Sequence, residues 1–403
     1  MSDRTVSFSE LASESLIEVG AGRPRTVLNQ YPSLPILRVA DVLDGGIEAS
    51  PQDHFPDGYR KAMGSKVSRP GDVVLTVKGT VGRVALMPPD GPDFAYSPQL
   101  CYFRPAASGP LRSRYLYYWF KSTQFWNQAD ALKGQTDMAD YLSLTDILAL
   151  EIKLPPLDRQ NGIIEVLGSL DDKIAVNDRI STTSATLART IHEEFTVGLE
   201  YRYEVFGTVA SVYGGGTPST TEPSYWDGKI AWTTPTDVTA LSSPYLFKTS
   251  RMITESGLAN CASRLYPAGS IFMTSRATIG AFAVPQIPAA VNQGFIVVVP
   301  PMDQLRWWLF HEMQSRLDEM LSLANGSTFL ELSRKNFKSI QVRVASLDEL
   351  ERFDAMVAPL HQRAAQASQE SATLKVFRDT LLPKLMSGQI RIRDAEKIVE
   401  DVT

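Results

Sequence analysis

Few side chains here have types and spacing that could do covalent chemistry. Glu151-Ile152-Lys153 has the E-x-K spacing of a metal-dependent nuclease strand, with Asp137, Asp140 or Asp146 upstream to complete a carboxylate set. Its counterpart later in the chain is Gln341-Val342-Arg343, which offers no carboxylate. A strand with a charged outer face yields this spacing by chance, so the motif reads as a solvated face. Gly214–Gly216 lacks the Gly-Lys-Ser/Thr of a phosphate-cradling loop and reads as a turn. The pairs Pro88-Pro89, Pro155-Pro156 and Pro300-Pro301 are not preceded by Asn or Asp, so no methyltransferase signature is present. His54, His192, His311 and His361 are scattered along the chain and suggest no Ser/His/Asp arrangement. With only Cys101 and Cys261, they give neither a disulfide framework nor a Cys/His metal cluster.

What remains is the chemistry of recognition. Base edges are read by Arg, Lys, Asn and Gln, and phosphates are held by Lys, Arg, Ser and Thr. Lys78 and Arg276 occupy equivalent places in two copies of one sequence block, as do Gln99 and Gln293. Lys66, Arg83, Thr217, Arg264 and Ser275 lie near these in sequence. Lys133 with Gln135, and Asn325 with Ser327, sit in glycine-containing loops from which a side chain reaches a groove. The competing reading of each is a solvated surface residue. Tyr213, Tyr225, Trp226 and Trp232 read as core rather than as stacking platforms.

The elements that position these residues come from a duplication. Gly71-Asp72-Val73-Val74-Leu75-Thr76-Val77-Lys78-Gly79-Thr80-Val81-Gly82 returns as Gly269 to Gly280 at an offset of 198 (269 minus 71), with no gap. The block predicts strand, turn, strand, with Val73, Leu75 and Val77 alternating against their neighbours. Ile36–Val42 answers Trp232–Val238 at offset 196, Ser97–Leu100 answers Val291–Gly294 at 194, and Leu142–Leu157 answers Leu332–Leu347 at 190. The matches keep their order, as one duplicated unit with loop insertions requires. Helical patches are expected at Leu111–Trp126 and Gln304–Leu323.

A helical region follows each copy. From Ile163, a 4-3 spacing gives Ile163, Leu167, Leu170, Ile174, Asn177, Ser181, Ser184, Ala188, Ile191 and Phe195. The second copy gives Phe353, Val357, Leu360, Ala364, Ala367, Ser371, Leu374, Arg378, Leu381 and Leu385. Each seam is apolar at its ends and small in its middle, which lets two backbones approach. Pro359 and Ser169 predict a break near 168 and 358, then a long helix reaching about 197 and 386, with Gly388 as terminator. The bland reading is two separate surface helices, and the duplication favours an antiparallel pair instead. A helix of ~27 residues spans ~40 Å, slightly more than the ~34 Å of one DNA turn, so the pair would act as a ruler between two reading heads.

Composition agrees with a soluble two-domain protein. The chain has 403 residues, 43% hydrophobic and 21% charged. No apolar run reaches the ~18 residues that span a bilayer, and the first twenty residues lack a secretory pattern, so a cytoplasmic protein is expected. The net charge of −5 has the wrong sign for a DNA binder. The acid is localised, however. Residues 156–200 carry 4 Lys+Arg against 8 Asp+Glu and residues 346–403 carry 8 against 10. Residues 1–155 carry 16 against 17 and residues 201–345 carry 12 against 10. Near-neutral repeated domains permit DNA binding through a local basic patch.

Leu154-Pro155-Pro156-Leu157-Asp158-Arg159-Gln160 followed by Ile163–Ile174 resembles the first helical region of the specificity subunit of Type I restriction–modification enzymes. Phe377–Gly388 resembles the end of that family's second helical region. Gly214–Ser219 with Tyr225-Trp226, Ser275–Gly280 and Asn292–Phe295 resemble its second target-recognition domain. The first domain departs from the pattern. It lacks the Gly-Gly-Thr-Pro start and has Lys78-Gly79-Thr80 where the copy has Arg276-Ala277-Thr278, which suggests different half-sites. The resemblance implies an α+β fold with two similar mixed α/β target-recognition domains, separated by an antiparallel two-helix coiled coil with a pseudo-two-fold axis. The expected boundaries are recognition domain 1 at 1–155, spacer 1 at 156–200, recognition domain 2 at 201–345, spacer 2 at 346–390 and a tail at 391–403. It further implies a non-catalytic DNA-binding subunit whose domains each read half of an asymmetric, gapped duplex target. The helices would hold two methyltransferase subunits, and two motor–nuclease subunits can join. S-adenosylmethionine, ATP and Mg2+ would belong to those partners, with no cofactor on this chain. Two rivals stand beside this reading: a self-contained site-specific nuclease or methyltransferase, and a scaffold that never touches DNA.

Overall fold

The computed structural model describes residues 4–22, 33–43, 45–47, 53–56, 60–132, 134–135, 140–326 and 330–400. Lys133, Asp137 and Ser327 lie outside the described residues. The chain forms two compact units, one of residues 1–173 with 374–403 and one of residues 174–373. Each unit therefore takes one mixed domain and a segment of each long helix.

The first unit is built on a four-stranded antiparallel sheet in the order Ile17–Ala21, Leu100–Pro105, Val73–Thr76, Val84–Leu86. The duplicated block is strand, turn, strand, as its sequence predicts, but Val73–Thr76 is buried on both faces rather than alternating. The cause is a layer on each side. Ser113–Phe120 buries six consecutive residues, Tyr115 to Phe120, and packs against the hairpin. Val74 instead clusters with Leu37, Phe94, Tyr96 and Tyr102. A smaller sheet places Ser33–Leu37 antiparallel to His54–Pro56 and parallel to Ala95–Tyr96. Arg4–Ser7 pairs with Glu151–Leu154, which exposes Glu151 and Lys153 and buries Ile152 and Leu154. The upstream carboxylate of Asp146 is used as a cap, accepting from Ser143 N (2.8 Å) and Oγ (2.6 Å).

The second unit repeats this plan. Its sheet runs Ser211–Tyr213, Phe295–Val299, Ile271–Thr274, Phe282–Pro285, Tyr245–Leu246, with the last strand parallel to its neighbour. Ile271 and Met273 meet the helix Gln304–Ser315, while Phe272 meets Tyr266, Val291 and Phe295 on the other face. The smaller sheet joins Trp226–Thr233 to Arg251–Ile253 and Ala289–Val291. Arg202–Val205 pairs with Gln341–Val344 as Arg4–Ser7 does with Glu151–Leu154. Trp226 and Trp232 are core, with Ile230, Ile253 and Ala290, and Tyr213 and Tyr225 pack against such clusters.

The long helices are Leu157–Phe195 and Leu347–Ser387. Neither breaks near 168 or 358, which corrects the expectation drawn from Pro359 and Ser169. The Ser169 hydroxyl donates within its own helix to Val166 O (2.9 Å) instead of capping a new one. A proline inside a helix costs about 3 kcal/mol. Around Pro359 that cost is offset by the buried face of Phe353, Val357, Ala364 and Ala367. The second helix ends at Ser387, directly before Gly388. The segment after it is not a bare tail, because Ile392–Glu400 forms a further helix with Ala395 and Val399 buried.

Within the second unit the two helix segments run antiparallel. Ser371 Oγ donates to Ile174 O (3.4 Å), Asn177 Nδ2 to Glu370 Oε2 (2.8 Å), and Ser181 Oγ lies 2.9 Å from Ser368 Oγ. Numbers rise on one helix as they fall on the other. The small seam residues Asn177, Ser181, Ala188, Ala364, Ala367 and Ser371 are buried, as the 4-3 spacing predicts. In the first unit Arg378 Nη1 bonds Asp171 Oδ1 (3.0 Å) across the corresponding segments. Among the described residues no helix is long and apolar enough to cross a membrane.

The histidines are not scattered in space, contrary to their spread in sequence. Three of the four meet in the second unit. His311 Nε2 lies 3.0 Å from His361 Nε2, the Tyr245 hydroxyl 2.9 Å from His361 Nδ1, and His192 Nε2 3.3 Å from Glu312 Oε1. The His361 ring stacks on Trp307 with centroids 3.6 Å apart. Among the described residues no group of His, Cys, Asp and Glu is arranged to hold a metal ion.

Candidate nucleic-acid interface

Each unit carries a hairpin tip fixed by main-chain bonds. In the first unit Val77 N donates to Gln99 O (2.9 Å), and Val77 O accepts from Leu142 N (2.8 Å). In the second, Ser275 N donates to Gly294 O (2.8 Å), and Ser275 O accepts from Leu332 N (2.9 Å). The turn closes alike in both, with Gly82 N on Thr76 O (2.9 Å) and Gly280 N on Thr274 O (3.0 Å). Lys78-Gly79-Thr80 and Arg276-Ala277-Thr278 stand exposed at the two tips. Gly79 has φ of +85° and Ala277 of +59°. A side chain in that left-handed region costs about 1–2 kcal/mol, so the second tip holds strain that the first avoids.

A short ribbon flanks each tip. Lys78 bridges Tyr141, which pairs with Gly134. Arg276 bridges Glu331, which pairs with Asn325. The two glycine-containing loops singled out in the sequence thus occupy matching places beside the hairpins. Glu331 is not among the residues that the sequence points to. Its only sequence signal is its position directly before the repeated Leu332-Ser333.

On the other side of each tip lies the loop 97–99 or 292–294. Ser97 N donates to Leu37 O and Asn292 N to Thr233 O, both at 3.0 Å. Those bonds make Ser97 the counterpart of Asn292, so Gln99 corresponds to Gly294 and Gln293 to Pro98. The sequence offset of 194 is therefore one residue short of the structural register, and Gln99 and Gln293 are not equivalent. Gln99 stands exposed, and Gln293 accepts the Thr217 hydroxyl at 2.5 Å.

The first tip opens onto a cleft of about 600 Å3. Lys78, Arg83 and Gln99 line it together with Arg38, Thr80, Asp53 and Phe55. Arg38 is held by Asp53 (2.9 Å) and Asp41 (3.4 Å). Three cations against one carboxylate on this wall suit a phosphate or a guanine edge. Lys66 does not line the cleft. It ends the 3-10 turn Gly64–Lys66, whose Ser65 carbonyl accepts from Arg104.

In the second unit Thr217, Gln293 and Arg264 gather around Gly214–Gly216. Arg264 lies over the Tyr213 ring at 4.7 Å, and the Tyr266 hydroxyl donates to Gly214 O. Arg276 and Asn325 belong to the tip, where Arg276 Nη2 contacts Glu331 Oε1 at 2.8 Å. Ser275 is 4% exposed and holds the strand end through its backbone, so its side chain is not presented with the others.

The first domain lacks the Gly-Gly-Thr-Pro motif but keeps the close approach that the motif serves. A Cβ on Gly215 would lie 2.1 Å from Val291 O and 2.3 Å from Asn292 O. A Cβ on Gly22 would lie 2.0 Å from Ser97 O and 2.2 Å from Tyr96 O. Backbone oxygens cannot rotate away, so only glycine fits. Gly22→Ala and Gly215→Ala are each expected to lose about 2–3 kcal/mol, as overpacked sites do, and to displace the adjacent loop. Thermal melts of the two variants test this, and an unchanged melting temperature in both refutes the close approach.

Comparison with known proteins follows this duplicated plan. The family model of the Type I restriction modification DNA specificity domain matches residues 28–183 and 206–360. The specificity subunit of the Type I restriction enzyme MjaIX of Methanocaldococcus jannaschii is 33% identical over 152 residues, covering 37% of this chain and 35% of that one. That match therefore spans about a third of the relative. The specificity subunit of the HindI enzyme of Haemophilus influenzae is 21% identical across 90% of this chain and 95% of its own. The crystal structure of a Type I restriction–modification S subunit from M. genitalium shares the fold, with a TM-score of 0.60 at 17% identity and 96% coverage of both chains. With both copies of the domain matched over more than half of its length, this chain belongs to the Type I restriction modification DNA specificity domain family.

Proposed function

We propose that this chain is the non-catalytic, sequence-specific DNA-binding subunit of a Type I restriction–modification complex. Each unit reads one half of an asymmetric, gapped duplex target. The long helices dock two methyltransferase subunits, and two motor–nuclease subunits can join them. S-adenosylmethionine, ATP and Mg2+ are handled by those partners. The observation that carries this reading is the pair of tips, which share one backbone frame and differ in what they present. Lys78 stands beside Tyr141 in one, and Arg276 beside Glu331 in the other. A duplicated enzyme would repeat its reactive groups, whereas a two-part reader repeats its frame and varies its edges.

The test is methylation mapping of cells that express the chain with its methyltransferase partner. A gapped motif methylated on both strands is expected. Lys78→Ala and Arg276→Ala are each expected to weaken reading of one half-site by about 10- to 100-fold and leave the other intact. Equal loss at both half-sites from either change would sink the two-head reading. Strand cleavage or methyl transfer by the purified chain alone would sink its non-catalytic part.

A further inference from the structure

We infer that the second unit reads a guanine–cytosine base pair with Arg276 and Glu331 acting together, Arg276 on guanine and Glu331 on cytosine. This rests on the DNA-reading function proposed above. The two side chains are about half-exposed, at 46% and 45%, and touch at 2.8 Å. An ion pair that open to water does little for stability. Yet the fold takes trouble to present it. Glu331 is clamped on both sides, bridged to Arg276 on one side and bonded to Asn325 on the other, its N–H donating to Asn325 O (2.9 Å) and its carbonyl accepting from Asn325 N (3.0 Å). Ala277, next to Arg276, adopts the left-handed backbone, and its N–H reaches Leu330 O at 3.1 Å. A strained non-glycine residue at a solvent-exposed tip points to a function for the tip.

The order of donors and acceptors decides the base pair. In the major groove guanine offers two acceptors, N7 and O6, and cytosine offers the N4 donor. A guanidinium has five N–H donors and a carboxylate only accepts. The shortest contact with Glu331 joins Arg276 Nη2 to Oε1 at 2.8 Å, and five N–H donors against two carboxylate oxygens leave further capacity for a base pair. Side by side they present donor then acceptor, the complement of the G·C edge. Against A·T the same pair meets two conflicts. The guanidinium faces the adenine N6 donor, and the carboxylate faces the thymine O4 acceptor and the 5-methyl group. The carboxylate thus rejects A·T, and the second guanidinium donor rejects the reversed T·A pair, which keeps the acceptor–donor order of O4 and N6 but sets its 5-methyl group where guanine has N7.

The first unit lacks this device. Its matching row is Lys78, Tyr141 and Gly134, with no carboxylate. The paired donor–acceptor device is therefore confined to one half-site.

The experiment is methylation mapping of cells that express the full chain, as wild type or Glu331→Ala, with the methyltransferase partner. Arg276→Ala identifies which half-site belongs to the second unit. The expected result is a G·C pair in that half-site of the wild type. Under Glu331→Ala, discrimination at that pair falls about 10- to 100-fold while the other half-site is unchanged, which also shows that the variant is folded. A second-unit half-site without G·C, a Glu331→Ala motif identical to wild type, or equal relaxation of both half-sites overturns the inference. Absence of any gapped motif from the wild type is a different failure, that of the DNA-reading function itself.

Discussion

Glu312→Ala is expected to cost the second unit about 3–5 kcal/mol, the usual loss when one partner of a buried ion pair is removed. Glu312 is fully buried in the helix Gln304–Ser315. Its Oε1 accepts from Arg343 Nε (3.0 Å) and Nη2 (2.5 Å). Its Oε2 accepts from Arg316 Nη2 (2.7 Å) and from the Arg343 backbone N (3.1 Å). Burial on its own would raise this carboxyl. Hydrogen bonds from His192 and Arg343, with the charges of Arg316 and Arg343, overcome that and hold it down at about 2. Truncation strands two guanidiniums, 19% and 24% exposed, and one strand N–H in a medium that solvates them poorly. Glu312→Gln keeps part of the bonding and should lose less. Hydrogen exchange resolved to residues 304–344 isolates this unit from the first, and a loss under about 1 kcal/mol would contradict the account.

Acid should unfold the same unit from just below neutrality. Burial is the main force depressing His311, to about 3, and His361, to about 2. The neighbouring rings add to it, with His192 acting on His311 and His311 on His361, and Arg189 contributes at His311. Gln314 works weakly the other way. Unfolded histidine titrates near 6.5. Between that value and the depressed ones, the unfolded chain holds protons that the folded chain refuses, so stability is full above about pH 6.5 and falls as pH falls. Two such groups give a limiting slope of about 2.7 kcal/mol per pH unit, or roughly 4 kcal/mol between pH 7 and pH 5. Glu312 works in the same sense but only below its ordinary range, since its stabilisation is present above about 4.5 and fades towards 2. Urea titrations at pH 7 and pH 5 measure the slope, and His361→Gln should roughly halve it. A flat profile between those pH values would show that the buried histidines do not control acid stability.

How much of this was legible in the sequence depends on the range of the interactions involved. The hairpins at 73–86 and 271–285 and the small-residue seam were readable because a period of two or of 4-3 is written locally. The repeated Leu142-Ser143 and Leu332-Ser333 were readable as a match, and the structure adds that each serine is the N-cap of a short helix before a strand. The histidine cluster was hidden, because its members come from three different helices, at 192, 311 and 361, and meet only through packing. Pro359 misled for the related reason that a local penalty lost to burial along a whole helix face. The equation of Gln99 with Gln293 failed by one residue: loop-length differences take the offset from 198 at the hairpin to 195 here, and matching the two glutamines at 194 overshoots it. The hydrogen bonds of Ser97 and Asn292 to the neighbouring strand, with those of Val77 N to Gln99 O and Ser275 N to Gly294 O, restore the register. Gly22 carries no signal in the sequence because its environment, two carbonyls of a distant loop, leaves no mark beside it in the chain.

The two tips are anchored by the amide groups of Val77 and Ser275, not by the side chains that follow. That has an evolutionary consequence. Amide hydrogen bonds are indifferent to which residue supplies them, so residues 78, 141, 276 and 331 can be exchanged at little risk to folding. Under the proposed function, one codon change at such a position would redirect the enzyme to new sequences. It would alter methylation and cleavage together, because both read through this chain. A host cell would thus revise its molecular passport and its border check in one step, without the lethal interval in which the two disagree.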